Sequence, residues 1–311
     1  MIPENIEVLK ESGKVIIANC LTFIQTNPND KKVLKLLDEA LLKENGKVLG
    51  ITGPPGVGKS SLINRLVDSI SSEKTKICII AVDPSSDKTG GALLGDRARY
   101  NLIEGKSNVF IRSMSNKAEF GGLSEDTYPS IVLMKCIFDF VIVETVGAGQ
   151  AEIEIENFSD LIIYCAQPAS GDFLQYMKSG IMEIPDIVVV TKLDLGKVAY
   201  EMVNEIKSVL MLSEEKNKFS TVAVSSKTGK GFDELMIIIK SFLKKKYLVR
   251  KKHEYWIEKK IKKLIGEEVF KYLKKNKKLD NLNFSKTEEL CNNLLIVTEK
   301  LIKNFEINKK N

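Results

Sequence analysis

Gly53, Gly58, Lys59 and Ser60 stand at the spacing G-x-x-x-x-G-K-[ST], with Pro54, Pro55, Gly56 and Val57 between them. That spacing is built for phosphate. The glycines let successive backbone N–H groups turn inward as a nest for an anion, and the helix that follows presents its positive end to the same group. Lys59 is placed to reach the β- and γ-phosphates of a nucleotide. Ser60 is placed to ligate Mg2+ through its hydroxyl, with Ser61 next to it in the same segment. Val48–Thr52 is apolar and β-branched, as a buried strand should be, and Ser61–Ile70 is amphipathic, as a helix should be. The loop by itself does not separate a GTPase from an ATPase or a small-molecule kinase.

Phosphate chemistry also needs an acidic group at a strand end facing the loop, to hold Mg2+ or its waters. Glu144, in the run Val143-Glu144-Thr145-Val146-Gly147, takes that place, and Gly147 can bring a backbone N–H to the γ-phosphate. Asp83 and Asp96 are further candidates for the metal sphere and for a nucleotide-sensing switch. Taken singly, each carboxylate also reads as a helix N-cap or a surface turn. Beside the loop they form a set: Lys59, Asp96, Glu144 and Gly147 for catalysis, and Ser60, Asp83, Asp96 and Glu144 for the metal.

The base of the nucleotide has its own candidates. Thr191-Lys192-Leu193-Asp194 follows an apolar run and lies close to the N-K-x-D element of GTPases. Asp194 would accept two hydrogen bonds from the guanine ring N–H and exocyclic amine, and with adenine its carboxylate would stay unpaired. Lys192 would lay its stem over the ring. Thr191 stands where asparagine is usual and can replace only part of an amide's hydrogen bonding. Ser225, Ser226 and Lys227, after another apolar run, fit a loop that meets the guanine carbonyl oxygen through backbone N–H groups. Together the two elements favour guanine over adenine.

These groups need a scaffold, and the pattern supplies one. Strands are expected at Val48–Thr52, Ile77–Val82, Val109–Ser113, Phe140–Glu144, Asp160–Ala166, Ile187–Thr191 and Thr221–Val224. Continuous apolar runs separated by helical stretches imply a mostly parallel α/β sheet covered by helices on both faces, which binds ligands at the carboxyl ends of its strands. Residues 1–45 are expected to form two helices, broken at Asn27-Pro28-Asn29-Asp30 with Asp30 as an N-cap. Beyond Phe242 long basic helices are expected. The domain reading is therefore a helical extension over 1–46, a P-loop domain over 47–243 and a basic helical arm over 244–311.

Composition narrows the classes. The chain has 311 residues, 43% of them hydrophobic, enough for a sizeable core. No apolar run approaches membrane-spanning length, and Met1–Lys10 carries no secretory signal. Cys20, Cys78, Cys136, Cys165 and Cys291 are scattered, which fits reduced, mostly buried thiols in a cytosol-like compartment. His253 is the only histidine, so a metal site of the Cys/His kind is not expected, and its charged surroundings suggest a solvated side chain. The net charge is +6, and Lys244–Lys263 holds ten Lys or Arg against two Glu. A solvated helix face or a surface for an acidic partner fits that stretch. Nucleic acid does not, for want of interleaved aromatics.

Many GTPases place a water-orienting glutamine directly after the glycine of the Glu144–Gly147 element; here that position is Ala148, with Gln150 beyond it. Slow intrinsic hydrolysis, accelerated by a partner, is the expectation.

Three longer runs carry a family likeness. V-D-P-S-S-D-K-T-G-G-A-L-L-G-D-R-A-R from Val82, V-E-T-V-G-A-G-Q-A-E from Val143 and G-D-F-L-Q-Y-M-K-S-G-I-M-E from Gly171 resemble the MeaB/ArgK family of GTPases, in the SIMIBI class of P-loop proteins. The resemblance covers about Ile6 to Trp256. It implies a GTPase chaperone, working with GTP/GDP and Mg2+, that gates adenosylcobalamin loading of an acyl-CoA mutase of the methylmalonyl-CoA type and protects it. It also implies a homodimer held by helical extensions. Composition and the lack of an apolar or targeting run point away from nucleic acid and membrane, and to the cytoplasm or, in a eukaryote, an organelle matrix. Asp83, Asp96 and Glu144 match the family's acidic positions. Asp172, Gln175 and Lys178 match the segment termed switch III, which signals nucleotide state to the mutase. Val249–Trp256 resembles the start of the dimerisation arm. Thr191, Phe173, Ala151 and Arg112-Ser113-Met114 depart from the family pattern. A nickel-insertion GTPase of the same class would need Cys/His ligands near the loop or a terminus, and a small-molecule kinase would need an acceptor site.

Overall fold

The computed structural model describes residues 2–71, 74–84, 99–100, 102–103, 105–116, 126–145, 154–168, 184–212, 219–244 and 249–275. In chain order its helices and strands are α1 (Ile6–Glu11), α2 (Lys14–Thr26), α3 (Lys31–Lys43), β1 (Lys47–Thr52), α4 (Lys59–Ile70), β2 (Ile77–Pro84), β3 (Val109–Asn116), α5 (Thr127–Ile137), β4 (Phe140–Glu144), β5 (Leu161–Ala166), β6 (Ile187–Val190), α6 (Lys197–Leu212), β7 (Ser220–Ala223), α7 (Phe232–Leu243), α8 (Val249–Ile265) and α9 (Glu267–Lys275). They fall into two compact units. One takes in Met1–Glu44, Tyr128–Leu133 and Leu248–Asn311, the other Asn45–Thr127 and Met134–Tyr247.

The second unit is a seven-stranded sheet in the order β3-β2-β4-β1-β5-β6-β7, parallel throughout. All seven expected strands form, each within two or three residues of its expected ends. Their side chains alternate between two cores, as the two-residue period of a strand requires. Leu161, Ile163, Cys165, Ile187 and Val189 join one core with Leu49, Ile51, Leu62, Ile63, Leu66 and Val67, and with Phe232, Leu235 and Ile239 of α7. Tyr164, Ala166, Val188 and Val190 face the other way, toward Ala199, Met202, Val203 and Ile206 of α6. Helices therefore cover both faces, and each inward stripe follows the spacing of a helix with one apolar side.

Parallel strands bring all their carboxyl ends to one edge. At the centre of the sheet, β1 pairs with β4 so that Ile51 lies opposite Glu144, and with β5 so that Thr52 lies opposite Tyr164. From β1 the chain runs to β2 on one side, whereas β5, β6 and β7 extend from the other. A crevice opens at such a reversal, and ligands of α/β sheets settle there. The order of elements alone thus puts the segment 53–58 at the reversal.

The first unit corrects two expectations. Residues 1–45 form three helices, because the chain also breaks at Ser12-Gly13. Ser12 is extended (φ −74°, ψ 147°), its N–H still bonded to the Leu9 carbonyl, and Gly13 is the cap from which α2 starts. The expected break at Asp30 is present, its carboxylate accepting from Lys32 N–H at 2.8 Å. His253 is not solvated. It is 6% exposed, its ring 6.0 Å from that of Tyr128 and 5.9 Å from that of Trp256. The periodicity explains this: His253, Trp256, Ile257, Lys260 and Ile261 share the buried face of α8, while Lys262 and Lys263 are exposed. Lys260 lies 5.0 Å over the Trp256 ring and donates to the Pro28 carbonyl at 3.3 Å.

Among the described residues no helix is long and apolar enough to cross a membrane. Cys20, Cys78 and Cys165 are buried free thiols, and burial pushes the Cys20 thiol up to about 11.

Candidate functional site

The loop after β1 owes its shape to glycine. Gly53, Gly56 and Gly58 have φ of 136°, 75° and 101°, in the region L side chains rarely adopt. At Gly53 a Cβ would also collide with the Cys165 carbonyl, so the loop can lie against β5 only without a side chain there. Gly58, left-handed, caps α4 without any side-chain bond, and the positive end of that helix faces the loop. Lys59 is buried, and its ammonium donates to the Gly53 carbonyl at 2.7 Å and to the Pro54 carbonyl at 3.0 Å.

Glu144 closes the other side. The β1–β4 register carries it to the loop, where it is 3% exposed. The Ser60 hydroxyl donates to its Oε1 at 3.1 Å, the Tyr100 hydroxyl donates to its Oε2, and the Arg99 guanidinium stands 3.9 Å from Oε1. Thr145 donates to the Thr52 hydroxyl at 2.8 Å, tying the ends of β4 and β1. A cavity of about 370 Å3 opens here, lined by Pro55, Gly56, Gly58, Lys59, Ser60, Ser61, Arg99, Glu144 and Thr145. Cys165 backs the loop at Gly53: burial pushes its thiol up to about 12, with Lys59 opposing and Glu144 adding to the shift.

The base-side candidates assemble around the loops after β6 and β7. Lys192 takes a left-handed turn (φ 57°), and its ammonium donates to Gln167 at 2.6 Å and reaches the Gly56 carbonyl at 3.4 Å. Thr191 is buried, and its hydroxyl lies 2.8 Å from the Val57 carbonyl and 3.1 Å from that of Ala166. One hydroxyl proton serves one acceptor at a time, and the shorter contact ties this loop to the phosphate loop. The Ser225 hydroxyl donates to Asp194 Oδ1 at 2.7 Å. That bond, followed by Asp194's own backbone N–H and the nearby Lys227 and Lys192, holds the Asp194 carboxyl below the usual carboxylate range. Ser226 and Lys227 form the turn between Ser225 and Gly229, which closes by Gly229 N–H to the Ser225 carbonyl at 2.8 Å.

The structure thus brings Pro55, Gly56, Gly58–Ser61 and Glu144 together around one cavity, and sets Thr191, Lys192, Asp194 and Ser225–Lys227 on two loops of the same sheet edge. Asp83 lies in β2, opposite Ser115 of β3. Asp96, Gly147, Ala148, Gln150, Asp172, Gln175 and Lys178 lie outside the described residues. Sequence reasoning passed over Tyr100, Asn64 and Gln167, since no spacing marks a single tyrosine, asparagine or glutamine; Tyr100 does directly follow one of the family-like runs. The assembled groups can hold a polyphosphate, offer hard oxygen donors to a divalent cation and present an ionised carboxylate to a base.

Comparisons with known proteins give the family. The family described as methylmalonyl Co-A mutase-associated GTPase MeaB matches residues 17–278. A Pyrococcus horikoshii protein that carries a provisional GTPase name is 36% identical over 280 residues, spanning 85% of this chain and 86% of that protein. The mitochondrial methylmalonic aciduria type A homolog of Mus musculus is 31% identical over 254 residues, 75% of this chain and 61% of the mouse protein. The crystal structure of a LAO/AO transport system kinase superposes with a TM-score of 0.63 at 25% identity, over 98% of this chain and 96% of that one. With the family match running over most of its length, this chain belongs to the MeaB family and is a GTPase.

Proposed function

We propose that this GTPase acts as a timer for an adenosylcobalamin-dependent acyl-CoA mutase of the methylmalonyl-CoA type, gating cofactor loading and protecting the loaded enzyme. The observation that carries the chemistry is the pairing of Ser60 with Glu144 at 3.1 Å beside the buried Lys59 ammonium. The family description and the name of the mouse relative support the mutase as partner.

In this reading the loop 53–58 and the start of α4 hold the phosphates through backbone N–H groups, and Lys59 exchanges its two carbonyl acceptors for phosphate oxygens. Ser60 and Glu144 are oxygen donors of the hard kind that Mg2+ selects, and their closeness fits that ion; Asp83 and Asp96 complete the expected acidic set. Mg2+ bound there would neutralise charge on the β- and γ-phosphates. Asp194 selects guanine, with Ser225 holding it ionised and in place. Gly147 supplies a backbone N–H to the γ-phosphate. Asp172, Gln175 and Lys178 carry the signal to the mutase. The basic arm over 244–311 holds two copies as a homodimer, working in the cytoplasm or an organelle matrix.

The test is turnover of GTP and of ATP by the purified protein, each with and without a candidate mutase. GTP-selective turnover that rises with the mutase supports the reading, and turnover indifferent to every mutase removes the timer role. The likeness to a transport system kinase favours one other outcome, phosphoryl transfer to a small molecule. Labelled phosphate recovered on an acceptor instead of as free phosphate would establish it.

A further inference from the structure

We propose that Tyr100 is a positioning residue for Glu144, and that through Glu144 it sets how strongly Mg2+ and nucleotide tighten one another's binding. This rests on the reading of Glu144 as part of the metal sphere. Tyr100 is fully buried, in the same core cluster as Leu49, Ile51, Ile63 and Ile79. Any large apolar residue would satisfy that cluster. The hydroxyl does something a hydrocarbon cannot, donating to Glu144 Oε2.

A carboxylate taken out of water is costly unless hydrogen-bonded, and a hydroxyl that donates to it makes one of the stronger bonds available. Ser60 holds Oε1 from α4 and Tyr100 holds Oε2 from a different segment, so both oxygens are fixed and the broad terminal torsion of glutamate is restrained. The Arg99 side chain is 39% exposed, and its guanidinium lies 3.9 Å from Oε1. Its backbone carries a second tie. The Asn64 side chain donates to the Arg99 carbonyl at 2.9 Å, and Ile103 N–H bonds the Tyr100 carbonyl at 3.0 Å. Tyr100 is thereby pinned to α4, the helix that also carries Lys59 and Ser60. The phenol transmits the position of that helix to the strand-end carboxylate across the cavity.

The experiment measures the affinity of a fluorescent GDP analogue with saturating Mg2+ and with EDTA, for the wild type, Tyr100→Phe, Glu144→Gln and the double variant. Thermal midpoints of the nucleotide-free proteins are recorded alongside. The ratio of the two affinities is the coupling between metal and nucleotide. Tyr100→Phe keeps the ring, so its affinity in EDTA should stay within about twofold while the ratio shrinks by about tenfold, the size of one hydrogen bond to a charged group. The double variant should be no worse than Glu144→Gln alone. Tyr100→Met, an adaptable apolar filler, repeats the test should the phenylalanine variant fold poorly. A Tyr100→Phe protein with a lower midpoint but an undiminished ratio would make the phenol mere packing and overturn the proposal. Losses that simply add in the double variant would overturn it too. If Glu144→Gln leaves the ratio intact, the metal reading of Glu144 falls and takes Tyr100 with it; if only Tyr100→Phe is without effect, the metal reading stands.

Discussion

The two ends of the site are built differently. At the phosphate end, Lys59, Glu144 and Tyr100 are buried, three glycines adopt left-handed backbone, and hydrogen bonds from several elements converge on a few atoms. At the base end, Lys192 and Asp194 are exposed; Lys192 donates to Gln167, and Ser225 donates to Asp194. The contrast follows from the tasks. A polyphosphate carries dense charge, and preorganised donors in a water-poor pocket act on it strongly. A base is chosen by a difference in affinity, which one ionised carboxylate provides by being left unpaired with the wrong partner. In the proposed function, one end supplies binding energy and the other selection.

Three substitutions probe that division. Lys59→Ala should have the largest effect, lowering kcat/KM for GTP by about a thousandfold, because in the proposed function its buried ammonium exchanges its carbonyl acceptors for the charged phosphate. Steady-state kinetics would detect it, and a loss below tenfold would mean that the backbone nest does most of the work. Asp194→Asn should leave the phosphate end intact and lower the GTP-to-ATP preference by about a hundredfold. The pH dependence of that preference sharpens the point. The Asp194 carboxyl is held below its ordinary range, chiefly by the Ser225 hydroxyl, so it stays ionised on the acid side of neutrality. Because base reading is done by the folded protein, that contribution is lost only as pH falls through the lowered folded value. The preference measured at pH 8 should therefore persist at about pH 5, and a fall between those two would show that another group reads the base.

Thr191→Val should have the smallest effect and of another kind. It removes the hydroxyl that ties the base loop to the Val57 carbonyl, while the Ala166 carbonyl keeps its bond from Thr191 N–H at 2.8 Å. Affinity should drop by about three- to tenfold for GTP and ATP alike. Equilibrium binding of both nucleotides checks this, and a loss confined to GTP would make Thr191 a reader of the base instead of a tie between loops.

The sequence by itself determined the fold class, the seven strands and the residues of the phosphate loop. Each rests on local physics: apolar runs too continuous for anything but a doubly covered strand, and a glycine spacing that only a tight anion-binding turn requires. Asp30 was legible for the same reason, since a cap acts within its own first turn. The break at Ser12-Gly13 is equally local, but the apolar spacing on either side of it runs as if unbroken. His253 shows where local reading stops. Its neighbours in sequence are charged, but α8 turns it onto the face occupied by Trp256 and Ile257, and only the helix period reveals that. The tertiary structure alone decided how the site's members meet. Thr191 reaches Val57 across 134 positions of chain, and Tyr100 reaches Glu144 across 44. No spacing rule relates such pairs, because their distance is set by sheet register and helix packing, which only the folded chain defines.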